Sequence, residues 1–155
     1  TQRWKLALSL TSVGREIPTK IEFSRRSVIS ESCFEPIDSE VINQYRLYPI
    51  LTSHYPKDSA LAQKIIALIN RGISQARDIF DIDLLLKADA QLRELSWPKE
   101  DLEKGQENAA SLGFDKFKGQ VVAYLVPKYQ EYFDNPDIWR EMVQRVTSYL
   151  HGIKS

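Results

Sequence analysis

Residues 59–87, SALAQKIIALINRGISQARDIFDIDLLLK, hold the pattern that decides the fold. Leu61, Ile65, Leu68 and Ile69 recur at three- and four-residue spacing, which predicts a helix with one apolar stripe. Gly72 and Ser74 punctuate the pattern where that helix needs a C-terminal stop. A second helix is predicted from about Gln75, burying Ile79, Phe80, Ile82 and Leu86. These apolar helices also carry an unusual set of charges: Lys64 and Arg71, then Arg77, Asp78, Asp81 and Asp83. Lys64 and Arg71 lie seven residues apart and share a face, while Asp78 and Asp81 share another at i,i+3. A helical hairpin brings those faces together. Cations facing paired carboxylates form either a structural ion-pair network or a site that handles charged substrates. Asp81 is expected to pair with Arg77 at i,i+4, and Asp83 to be solvated.

Before this stretch the pattern is that of strands. Trp4 to Leu10 alternates as a strand, followed by a turn at Gly14. Lys20 to Arg26, KIEFSRR, reads as a second strand with Pro18 marking its start, Ile21 and Phe23 on one face and Glu22 on the other. Residues 27–46 read as a loop with a short helix or strand, and Leu47 to Thr52 as a third strand, placed at an edge by Pro49. After the hairpin, Trp97-Pro98 opens a helix with acids in its first turn, and Gly113 closes it. Lys116 to Tyr132 carries an apolar stripe of Phe117, Val121, Tyr124, Leu125 and Tyr132, with a kink at Pro127. Asn135-Pro136-Asp137 caps a last helix, Ile138 to His151, whose buried side is Trp139, Met142, Val146, Tyr149 and Leu150. Strands first and helices after imply an α+β fold, a small N-terminal β-sheet followed by a C-terminal helical bundle. The division falls at residues 1–53 and 54–155, packed as one compact unit.

The chain has 155 residues, enough for one domain with a sizeable core, and 43% apolar and 27% charged residues, ordinary for a globular protein. No apolar run is long enough to span a membrane and no secretory signal stands at Thr1. A lone Cys33 forms no intrachain disulfide and no cysteine metal site, so the reducing cytoplasm is the expected compartment. His54 and His151 are too few for a histidine zinc centre, so any metal falls to carboxylates and magnesium-like chemistry. Net charge is zero, yet residues 1–30 hold six Lys or Arg against Glu16 and Glu22, and residues 31–60 hold five acids against Arg46 and Lys57. Four surplus charges make a small footprint for a phosphate backbone, and a solvated sheet face accounts for them.

The segment AQKIIALINRGISQARDIFDIDLLL resembles the signature of bacterial AbiEii-type nucleotidyltransferase toxins of the abortive-infection class, within the polymerase-β-like nucleotidyltransferase superfamily. That signature runs from an Ala-Glu-Lys-like start to an Arg one or two turns on, then an Arg-Asp pair, an aromatic and a second Asp. Ala62-Gln63-Lys64, Arg71 and Arg77-Asp78-Ile79-Phe80-Asp81 stand in those places. KIEFSRR upstream and YFDNPDIWREMVQRVTSYL downstream extend the likeness over most of the chain. The resemblance implies transfer of a nucleotidyl group from an NTP to an RNA or protein acceptor, Mg2+ held by carboxylates, and an antitoxin as counterpart. It implies that Lys64 contacts the nucleotide phosphates and Asp78 supports it as the catalytic pair, with Arg71, Arg77 and Asp81 neutralising phosphate or holding the acids. Ile21-Glu22-Phe23 matches the strand position of the third metal-binding carboxylate. An outward strand acid beside Lys20 or Arg25 is the structural alternative for Glu22.

One departure bears on activity. The family's first motif, a Gly-Ser turn followed by Asp-x-Asp on a strand, does not occur, and no Asp precedes Asp38. Two expectations follow. Either the chain starts downstream of that motif, as a fragment or split gene product, or it is a catalytically inactive relative that serves as a nucleotide- or protein-binding module. Thr1 without an initiator Met suits a fragment, and Met removal before Thr explains it equally. A third reading is a helical interaction domain in which Lys64 and Asp78 belong to an ion-pair network.

Overall fold

The computed structural model describes residues 2–10, 14–23, 32–92 and 96–153. They fall into two compact units, residues 1–30 and 31–155. The first unit is an antiparallel hairpin of β1 (Gln2–Leu10) and β2 (Arg15–Phe23), with Gly14 at φ 60° in the turn. Positive φ is open to glycine because it has no Cβ. The register sets Trp4 opposite Ile21 and Leu8 opposite Ile17, while Arg3 stands opposite Glu22. Strand alternation thus puts the two apolar pairs on one face. The second strand begins at Arg15 rather than Lys20, and Pro18 lies within it, paired with Ala7. A two-stranded ribbon leaves one side of each strand unpaired, so a residue lacking an N–H fits there. Residues 24–26 of the expected strand lie outside the described residues.

The second unit opens with β3 (Cys33–Pro36), α1 (Ser39–Tyr45) and β4 (Leu51–His54), β3 and β4 pairing antiparallel. Asp38 caps α1 by accepting from Glu40 N at 2.7 Å. The expected strand Leu47–Thr52 is thus shifted to Leu51–His54, and Pro49 lies outside it. The strands form two separate two-stranded sheets.

The helices follow: α2 (Lys57–Asn70), α3 (Ala76–Lys87), α4 (Lys99–Ala110), α5 (Phe114–Gln120), a 3-10 turn Val122–Tyr124, α6 (Pro127–Phe133) and α7 (Pro136–Gly152). The predicted stripe of α2 is buried throughout: Leu61, Ile65, Leu68 and Ile69. In α3, Ile79 and Ile82 are buried and Phe80 and Leu86 partly so. The Asn135 side chain accepts from Asp137 N at 2.9 Å with Pro136 in the first turn of α7, the cap read from sequence. Trp139, Met142, Val146 and Leu150 form the buried side of α7, with Tyr149 half-buried.

Between α4 and α7 the single kinked helix expected over Lys116–Tyr132 is broken into three pieces. Pro127 lacks an N–H and excludes the preceding residue from helical angles; Val126 accordingly sits at ψ 150°. The break ends the periodicity, so Phe117 and Val121 are buried while Tyr124 and Tyr132 are exposed. Phe117 stacks on Trp139 with centroids 4.5 Å apart, and Trp139 Nε1 donates to Leu112 O at 3.1 Å. α4 packs on both α2 and α7, and α3 packs on α2, α5 and α7.

Gly105 sets how closely α4 approaches its neighbours: a Cβ there would stand 3.2 Å from Ile69 Cγ1 and 3.3 Å from Leu150 Cδ1. Gly105→Val inserts three carbons into that contact. Overpacking of this kind costs about 1–3 kcal/mol, outweighing the gain of several tenths of a kcal/mol in helix propensity over glycine. Urea unfolding monitored by circular dichroism should give a lower midpoint with an unchanged slope.

Candidate functional site

The site grows from the α2–α3 hairpin. Lys64 and Arg71 are two turns apart, and Arg71 is the C-cap of α2, where the backbone turns extended at ψ 134°. Asp78 lies in the first turn of α3 with its side chain fully buried. Arg71 Nε lies 2.7 Å from Asp78 Oδ2, and Nη2 donates to Oδ1 at 3.5 Å. The 2.7 Å contact is an ion pair and not a well-directed hydrogen bond, since Oδ2 has no hydrogen-bond donor aligned on it. Lys64 Nζ is 3.5 Å from Asp78 Oδ1 and 2.5 Å from Asp81 Oδ2. The ammonium therefore bridges both carboxylates.

The side chains of Lys64, Arg71 and Asp81 remain 34%, 38% and 35% exposed. A wholly buried carboxylate thus anchors two cations whose side chains are partly exposed. Asp81 pairs with Lys64 across the hairpin rather than with Arg77 along α3, which corrects the i,i+4 expectation. The Lys64 ammonium is already drawn between the two acids by Asp78. Arg77 is exposed and has no ion-pair partner among the described residues. Three cations stand against two carboxylates, leaving this end of the hairpin one charge positive.

Asp83 is the residue that sequence reasoning misplaced. It is fully buried, its Oδ1 accepting from Arg145 Nε at 2.7 Å and its Oδ2 lying 2.8 Å from Lys87 Nζ. Arg145 also reaches Glu141 at 3.4 Å. The hydrogen bond to Asp83 raises the Arg145 pKa above its ordinary value, against the opposing effect of desolvation, so the guanidinium stays charged. The signal was in the spacing: Asp83 follows Ile79 by four and precedes Leu86 by three, within the buried stripe. Asp81 and Asp83 are two residues apart, and a helix sends them to different neighbours, α2 and α7.

Glu22 is in β2 of the first unit at the register position opposite Arg3, and its side chain lies outside the described residues. Among the described residues no three of His, Cys, Asp and Glu gather as a metal site. Asp78 and Asp81 are both engaged by cations, and an ion at Asp81 would have to displace the Lys64 ammonium. The described carboxylates of the hairpin do not fit a divalent metal.

A family model for the nucleotidyl transferase AbiEii toxin of type IV toxin–antitoxin systems matches residues 2–142. The chain belongs to this AbiEii family. The match spans the hairpin from β1 through α3 and continues into α7, so every charged residue discussed above except Arg145 falls within it. Comparisons with curated proteins and with solved structures gave no significant match. Membership supports a nucleotidyltransferase-type toxin, and AbiEii itself belongs to toxin–antitoxin and abortive-infection biology. No helix among the described residues is long and apolar enough to cross a membrane.

The Asp83–Arg145 pair gives an asymmetric prediction. Arg145→Ala leaves a buried carboxylate with Lys87 alone, and should cost roughly 2–3 kcal/mol, below the full value for a buried pair because Lys87 remains. Asp83→Asn should cost about 1 kcal/mol, because the freed cations reach water and the amide keeps an acceptor. Chemical denaturation of both variants checks the ordering.

Proposed function

We propose that the chain acts in transfer of a nucleotidyl group from an NTP to an RNA or protein acceptor, as a toxin whose counterpart is an antitoxin. The supporting observation is the wholly buried Asp78 holding the partly exposed Lys64 and Arg71, with Arg77 unpaired among the described residues. Lys64 serves as the phosphate contact and Asp78 as its positioning carboxylate. Arg71 and Arg77 offset the charge of the triphosphate, and Asp81 holds the Lys64 ammonium. Cations fixed before substrate arrives need no reorganisation when charge develops on the transferred group.

Nucleotidyltransferases as a class use a divalent ion, here assigned as Mg2+ with Glu22 as one ligand. The other ligands fall to the Gly-Ser…Asp-x-Asp motif, which these 155 residues do not contain. A second reading is a catalytically inactive relative that binds nucleotide or protein. Both readings place the protein in the cytoplasm, and they share the phosphate site on α2 and α3.

Lys64→Ala separates a phosphate site from a structural network. Arg71, 2.7 Å from Asp78, still meets it in the variant, and the lost Lys64 contact is 3.5 Å long, looser than the one Arg145 makes with Asp83, so stability should change by no more than about 1 kcal/mol. ATP affinity measured by calorimetry should fall at least about tenfold, the worth of one charge-assisted contact. A variant that binds ATP like the parent protein but melts several degrees lower would make the cluster a structural network. Turnover after the Asp-x-Asp motif is restored by fusion or in trans separates the transferase from the binding module.

A further inference from the structure

We propose that Gln120 and Asn108 are positioning residues for the Lys64–Arg71–Asp78 cluster, each holding one end of the connection between α2 and α3. The inference deepens the phosphate-site reading above and rests on it for its binding consequence.

Helix ends leave backbone groups without intrahelical partners. α2 ends at Asn70 and α3 begins at Ala76, and the α3 N-cap residue Gln75 makes no side-chain capping hydrogen bond. Two amides from later helices take that role. Gln120 Oε1, at the end of α5, accepts from Ala76 N at 2.8 Å. Asn108 Nδ2, on α4, donates to Leu68 O at 2.8 Å. The partners are 44 and 40 residues away in sequence, so these contacts belong to the tertiary fold. Ala76 and Leu68 are fully buried, where a lost partner is poorly replaced by water.

The connection itself is open. A Cβ at Gly72 would meet no atom within 4 Å, and Ile73 is 74% exposed. Arg71 is the first residue of that connection and Asp78 follows the Gln120 contact by two residues. The 2.7 Å approach of Arg71 to Asp78 is therefore set by where α4 and α5 hold the two helix ends. Gln120 also takes the first N–H of α3, one of the backbone donors an anion at that terminus would use.

The test uses the full chain with Gln120→Met, which keeps the volume and loses the acceptor, Gln120→Glu, which keeps an acceptor oxygen, and Asn108→Leu. Arginine-labelled NMR follows the Arg71 Nε–H signal, and calorimetry follows ATP binding. In Gln120→Met and Asn108→Leu the Arg71 Nε–H should exchange with water about tenfold faster and ATP affinity fall roughly three- to tenfold, the scale of one hydrogen bond. Gln120→Glu should restore the Arg71 signal. Should Gln120→Met not fold, Gln120→Asn, one methylene short of Ala76 N, replaces it.

Unchanged Arg71 exchange in the folded variants overturns the proposal, as does a Gln120→Glu variant disturbed as much as Gln120→Met. A drop in melting temperature with no change at Arg71 makes both amides merely structural and also overturns it. If the Arg71 signal follows Gln120 while the parent protein binds no ATP, the positioning role stands and the phosphate-site reading falls.

Discussion

A carboxylate with no exposed surface is tolerated only where cations meet it, and Asp78 imposes that condition on the helical unit. Lys64 and Arg71 must both come from α2, two turns apart, so α2 and α3 are held side by side in one register. Apolar burial still dominates the energy: each fully buried Leu, Ile or Phe contributes about 1.5–3 kcal/mol, and nineteen apolar residues make up the described core. The ion pairs add little net stability but select one arrangement of helices that apolar contacts alone leave free to slide. Asp83 repeats the device on another side of α3, where Arg145 of α7 closes it. The helix is thus neutralised by a different neighbour at each of its two buried acids.

This arrangement also separates two tasks that the same charges could confuse. Asp83 and Arg145 tie helices together, and the fully buried end of the pair belongs to the acid. Around Asp78 the acid is again buried, but its cations are shared, with Lys64 bridging to Asp81, and Arg77 is left over among the described residues. Stability needs no surplus cation. Recognition of an anionic substrate does, and membership of the AbiEii family gives that surplus a chemical context.

Legibility in the sequence followed the range of the interaction. The stripes of α2 and α7 and the Asn135 cap depend on residues within one or two turns, and their spacing alone placed them. The Lys64–Asp78 contact was legible because a short connection between two periodic helices leaves few ways to pack them. Misreadings arose where a local rule met a distant partner. Pro18 reads as a strand boundary, yet an edge position lets it sit within β2. Asp83 reads as solvated because acids usually are, and Arg145, 62 residues on, joins Lys87 in making burial affordable. Asp81 has Arg77 at the right helical spacing, but Lys64 arrives from another helix. Gln120 and Asn108 carry no charge and no motif, and a single sequence does not reveal which backbone group an amide will meet.

The same difference in range bears on the order in which the chain can assemble. Arg71 and Asp78 are 7 residues apart, and closing so short a segment costs little entropy, whereas Asp83 has Lys87 close by and gains Arg145 from 62 residues downstream. As the polypeptide emerges during synthesis, the α2–α3 hairpin can close with its own charges matched. Its second acid meanwhile stands beside Ile79, Ile82 and Leu86 on the stripe that later helices will cover. With only Lys87 of the same helix beside it, a carboxylate there holds water against an otherwise sticky surface and opposes collapse onto the wrong segment. Asp83 guards an unfinished face, and the arrival of Arg145 on α7 relieves it.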